Sequence, residues 1–144
     1  MRGPSCYTSV MNRQELVQLV LGLGLDADEY IVVGSGLLAM LELCEAGDLD
    51  LIVSPEDFQR FDEDSAWQRK TFKDGNYALV QGDCEIMLDW DSPDGTPNLQ
   101  MLKSDEVVID GIPFVSPTRL LAWKERHRRP KDLGDIQLLR DYHA

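Results

Sequence analysis

No apolar run in this 144-residue chain approaches the roughly 18–20 residues that a membrane-spanning helix requires. The opening stretch, MRGPSCYTSV, lacks the apolar segment of a secretory signal. Its irregular composition, with Met11 behind it as a second candidate start, predicts a loose leader over residues 1–11. Cysteine is scarce: Cys6, Cys44 and Cys84 are an odd number without C-x-x-C spacing, which argues against a disulfide framework and a zinc site alike. Cys44 and Cys84 stand among apolar residues and read as buried thiols, so a reducing cytoplasm is the expected compartment. The two histidines, His127 and His143, have no nucleophile and acid at useful spacing, and no catalytic triad is indicated. Internal repeats and low-complexity tracts are absent as well.

Positive charge is thin, at 14 Lys and Arg against 26 Asp and Glu, a net charge of -12. A whole-surface nucleic-acid binder is excluded, because neutralising phosphates needs clustered cations. Yet six of the 14 (Arg119, Lys124, Arg126, Arg128, Arg129 and Lys131) fall within thirteen positions. That segment reads as a local anion site or a solvated helix end.

What remains is ordinary for one folded domain, with 43% hydrophobic and 28% charged residues. Asn12 can cap a helix over 13–23, where Leu16, Val17, Leu19, Val20 and Leu23 recur at helical spacing. Tyr30–Val33 is a buried-strand run that stops at Gly34, and Ser35–Glu45 is rich in helix formers. The alternation Asp48–Val53 predicts a second strand, and Ser54-Pro55 opens a helix. Strands follow near 66–73, 76–81 and 84–90, then a loop at 92–98 and a hairpin over 107–115. Helices over 117–127 and about 131–142 close the chain. The expected fold is a single α+β domain, a mixed sheet with helices mainly on one face and a C-terminal helix pair.

The chemistry concentrates in IVVGSGLLAMLELCEAGDLDLIV. A strand ending in Gly34-Ser35 before a helix gathers backbone N–H groups at one point, an arrangement that receives anions. Glycine lets a phosphate approach the backbone closely, and Ser35 can add a hydroxyl donor. In a strand, residues i and i+2 share a face about 6.5–7 Å apart, so Asp48 and Asp50 point one way. Two carboxylates roughly 6 Å apart repel by about 3 kcal/mol at an effective dielectric near 20, which water or a cation must offset. Mg²⁺ suits such a pair, since it binds one or two carboxylates together with substrate phosphates. Either element alone is commonplace; their combination across one helix is less so. The segment Gly34-Ser35-Gly36-Leu37-Leu38-Ala39 also fits the G-x-G-x-x-A dinucleotide fingerprint. That reading fails, because its ribose-binding acid belongs at the end of the second strand, whereas here the acids stand at its beginning.

These residues resemble the nucleotidyltransferase superfamily of DNA polymerase β-like fold, in particular small bacterial members related to abortive-infection and minimal nucleotidyltransferase toxin–antitoxin proteins. The resemblance is carried by Val33-Gly34-Ser35, by Asp48-Leu49-Asp50, and by a second block, Leu120-Leu121-Ala122-Trp123-Lys124 and Arg129-Pro130-Lys131-Asp132-Leu133-Gly134-Asp135-Ile136. It implies transfer of a nucleoside monophosphate from a nucleoside triphosphate to an acceptor hydroxyl, with Mg²⁺ or Mn²⁺ as cofactor. Carried over, Gly34, Ser35, Lys124 and Lys131 would hold phosphates. Asp48, Asp50 and a third acid would bind the metal as catalytic carboxylates. Asp89 is the first choice for that acid, with Ile86, Leu88 and Trp90 facing the core and Met87 and Asp89 the cleft; Glu85 is the reserve. The arginine and threonine often found before the aspartate pair are replaced by Glu45, Ala46 and Gly47. A catalytically silent binding module, or a toxin–antitoxin component acting through protein contacts, is therefore the alternative. The acceptor, a small molecule, a tRNA end or a protein hydroxyl, is expected to touch loops such as 91–104. A homodimer or a cognate partner protein would supply the missing cleft wall.

Overall fold

Asn12 begins the first helix as expected: its side chain accepts from the Glu15 amide at 2.9 Å, and Glu15 reaches back to the Asn12 amide at 3.1 Å. The computed structural model describes residues 11–43, 47–73, 75–88, 90, 99–130 and 132–143. The leader at 1–10, the 92–98 loop, Cys6, Cys44, Asp89 and Lys131 lie outside the described residues. The elements run α1 (Arg13–Gly22), β1 (Tyr30–Val33), α2 (Gly36–Met40), β2 (Leu49–Val53), α3 (Pro55–Asp62), β3 (Gln68–Thr71) and β4 (Tyr77–Gln81). They continue with β5 (Cys84–Met87), α4 (Leu99–Lys103), β6 (Val107–Ile109), β7 (Ile112–Phe114), α5 (Pro117–His127) and α6 (Asp132–His143). The class is α+β, around one seven-stranded mixed sheet in the order β3-β4-β5-β2-β1-β7-β6. No helix among the described residues is long and apolar enough to cross a membrane.

Register decides what each face carries. β2 lies antiparallel to β1, with Val33 opposite Asp50, and parallel to β5, with Asp50 beside Glu85 and Leu51 beside Ile86. Leu49, Leu51, Ile86 and Leu79 are completely buried on one face. Helices α1 and α2 cover that face, where a side chain on Gly36 would meet Val32, Leu16 and Leu49. There too α3 sets Phe58 against Tyr77, ring centroids 5.6 Å apart. The opposite face carries Asp50, Glu85, Met87 and Lys70.

Three expectations are corrected. The helix predicted over 35–45 ends at Met40. Glu42 adopts a left-handed backbone (φ 59°), its amide bonds to the Ala39 carbonyl at 3.1 Å, and the Leu43 amide bonds to the Leu38 carbonyl at 2.9 Å. This closing pattern usually employs glycine, and here Arg13 supports it by donating to the Met40 carbonyl at 3.0 Å. The strand predicted to reach Trp90 stops at Met87: Leu88 is exposed rather than in the core. Within the stretch expected to be a loop, α4 forms and buries Leu102 against the molecule.

Candidate functional site

β1 delivers its chain end to Gly34, whose φ of +72° is a conformation that residues with a Cβ rarely adopt. A Cβ at Gly34 would stand 3.0 Å from the Asp50 Oδ2. The glycine is thus favoured twice, by its backbone and by the carboxylate against it. Gly36 serves packing instead, since a Cβ there would lie 2.9 Å from Val32 Cγ1. That accounts for the second glycine of the fingerprint without any dinucleotide.

Around this turn a cleft of about 240 Å³ opens on the sheet face bearing Asp50. Gly34, Ser35, Asp48, Asp50 and Lys124, all singled out from sequence, line it. Glu85, the reserve acid, lines it too, beside Asp50 through the parallel register. Asp48 is exposed and sits just ahead of β2, and Asp50 is half-buried within it. Met87 faces this cleft as predicted; Trp90 also lines it, rather than belonging to the core face alone. Two larger hollows of about 490 Å³ flank Arg13 and Glu42 and share none of these residues. They hold no comparable gathering of acids, so the smaller cleft is the chemical candidate.

α2 spans only five residues, too few for an appreciable helix-end field, and the Ser35 side chain does not cap it. Ser35 is turned to the C-terminal helices. Its hydroxyl donates to Asp135 Oδ2 at 3.0 Å and accepts from Lys124 Nζ at 3.1 Å. Lys124, 1% exposed, also lies 2.9 Å from Asp135 and 3.3 Å from Asp132. Arg129 completes the network with a two-pronged contact to Asp132, at 2.7 and 3.0 Å. Burial pushes the Asp132 carboxyl up, but the Arg129 hydrogen bond and the Lys124 charge outweigh it, and the net direction is downward. Lys124 therefore borders the cleft as the centre of a buried ion network.

The walls are aromatic and basic. Trp90 stacks on Trp123 at 5.0 Å, His127 stacks on Trp123 at 4.0 Å, and the Arg129 guanidinium lies 4.9 Å from the same indole. His127 Nδ1 donates to the Trp123 carbonyl at 2.9 Å, a structural use of the residue. On the other side stand Phe72 and Lys70, with Lys70 Nζ 3.1 Å from Glu85 Oε1. Trp67 is in the core against Phe61.

Sequence reading missed Lys70, Phe72 and Asp135. Lys70 and Phe72 reach the cleft only through the sheet order, and Asp135 meets Ser35 across 100 positions. The one usable signal for the last was Gly134-Asp135 inside the Arg129–Ile136 block. Compared with known protein families, curated proteins and solved structures, the chain matches none.

Proposed function

We propose that this chain is a Mg²⁺-dependent nucleotidyltransferase. One observation carries the reading. Asp48 and Asp50 border a single cleft with the Gly34 turn, and Asp50 occupies the space a Gly34 side chain would fill. Glu85, next to Asp50 in register, lines the same cleft.

The residues fit the cation in a particular way. Among the described residues no group of three or more His, Cys, Asp or Glu is disposed to hold a metal on its own. A site of two carboxylates completed by phosphate oxygens and water is what Mg²⁺ ordinarily accepts. Asp48 and Asp50 would hold it, and it would neutralise charge developing on the transferring phosphoryl group. The acceptor hydroxyl oxygen bonds to the α-phosphorus, and the bond from that phosphorus to the bridging oxygen breaks. Pyrophosphate leaves with the electron pair, and the hydroxyl proton passes to a carboxylate of the site. Lys70, on the cleft wall, supplies a cation toward the phosphates.

A second reading is favoured by the Ser35–Lys124 contact. The serine hydroxyl and the lysine ammonium, both assigned to phosphate by the resemblance, are held in the network with Asp132 and Asp135. A silent module of a toxin–antitoxin pair would have this arrangement and bind triphosphate without turning it over. Calorimetric titration with each ribonucleoside triphosphate in Mg²⁺ separates the readings when followed by transfer assays with labelled nucleotide. Enzymatic function predicts binding that Asp48→Asn removes, plus pyrophosphate release with an acceptor; binding without release supports the silent module. Absence of binding to all four contradicts the enzyme and leaves only a component acting through protein contacts.

A further inference from the structure

The cleft holds one feature that neither metal nor phosphate accounts for. Phe72 is 39% exposed and stands on a wall otherwise formed by Lys70 and the acids. The carboxylates beside it give an apolar ring no packing contact. Its backbone is nevertheless fixed. The Phe72 amide donates to the Asn76 carbonyl at 2.7 Å, and its carbonyl accepts from Gly75 at 3.0 Å, so the β3–β4 hairpin clamps it on both sides. Lys70 Nζ lies 5.9 Å from the ring centre while bonded to Glu85, which ties the ring to the acid row.

The other aromatics of the cleft are already engaged. Trp90 is 4% exposed and stacked, and Trp123 is covered by Trp90, His127 and Arg129. Among the described residues of this cleft, Phe72 is the exposed aromatic side chain, while Trp123 is half-buried. Flat, polar-edged heterocycles stack on such a ring irrespective of their hydrogen-bonding pattern.

We infer that Phe72 is the stacking surface for a nucleobase held in this cleft. The inference rests on the nucleotidyltransferase reading and extends it from the phosphates to the base. That base belongs to the triphosphate or to the terminal nucleotide of a nucleic-acid acceptor. Stacking independent of base edges predicts weak discrimination among the four nucleosides.

The test compares ATP, GTP, CTP and UTP with inorganic tripolyphosphate, all in Mg²⁺, by calorimetry on the full chain. A short single-stranded RNA is titrated in a parallel arm. The native protein should bind triphosphates about tenfold more tightly than tripolyphosphate. Phe72→Ala should erase that advantage while leaving tripolyphosphate affinity unchanged, and Phe72→Tyr should keep it. Tenfold loss confined to the RNA arm assigns the ring to the acceptor's base and equally supports stacking. Equal binding of triphosphate and tripolyphosphate, with RNA binding indifferent to Phe72→Ala, overturns the inference but leaves phosphate and metal binding standing. No binding of tripolyphosphate or triphosphate at all overturns the nucleotidyltransferase reading and this inference together. Unchanged far-ultraviolet circular dichroism of Phe72→Ala confirms that the fold is intact, as expected for an exposed side chain.

Discussion

The Asp50 carboxylate stands against Gly34: its Oδ2 lies 3.0 Å from where a Cβ at position 34 would be, so a side chain there would push it aside. The left-handed backbone there (φ +72°) would by itself cost a non-glycine residue about 1 kcal/mol. Gly34→Ala should therefore lower unfolding free energy by roughly 1–2 kcal/mol in urea titrations. It should also weaken Mg²⁺–triphosphate binding by more than that stability loss implies, because Asp50 must move. Native affinity in Gly34→Ala would show that Asp50's placement is irrelevant to binding.

The Lys124 ammonium serves two buried carboxylates, so removing it should be among the most damaging substitutions in the molecule. Lys124→Met is expected to cost about 3–5 kcal/mol, the usual consequence of stranding a buried charge. Adding Asp135→Asn to Lys124→Met should recover part of the loss in a double-mutant cycle. Strict additivity of the two changes would argue against their coupling.

Acid should act through the same network. The Asp132 carboxyl is held below its ordinary value, so the folded protein binds that proton less readily than the unfolded chain does. Its stabilising contribution is complete above the unfolded value, near 4, and fades as pH falls through the lower folded value. Thermal melts from pH 6 down to pH 2.5 should show a decline below about pH 4 that is shallower in Asp132→Asn. Parallel curves for the two proteins would contradict this.

Cys84 is buried, and burial, with the nearby Asp50 and Glu85 charges, pushes its thiol up to about 12. In a Cys6→Ser, Cys44→Ser background, a disulfide-exchange reagent at pH 8 should label native Cys84 at least tenfold more slowly than the urea-unfolded chain. Above pH 9 the unfolded chain releases this proton while the folded one retains it, so stability should fall with rising pH. Rapid native labelling would show that the β5 end opens readily.

The local half of the site was legible in the sequence, because a strand, Gly34 and an alternating Asp48-Leu49-Asp50 depend on neighbours in the chain. The helix between them was overextended, since its stop is made by Glu42 in a glycine-like conformation and by Arg13, 27 positions from the carbonyl it caps. No residue at 42 announces that ending. Nor could α4 be read: its five residues carry too little periodicity, and burial of Leu102 is a tertiary fact. Lys124 was found but assigned to phosphate alone, because the acids that hold it become neighbours only when α5 and α6 pack together. Glu85 was ranked behind Asp89, although its adjacency to Asp50 follows from a parallel β2–β5 pairing that composition does not disclose.

A crystal structure of the protein soaked with Mg²⁺ and a non-hydrolysable nucleoside triphosphate examines the central claim at its own scale. The account predicts an ion contacting the carboxylates of Asp48 and Asp50, with phosphate oxygens completing its shell beside the Gly34 turn. Triphosphate bound elsewhere, or bound in this cleft with neither aspartate touching the ion, would contradict it.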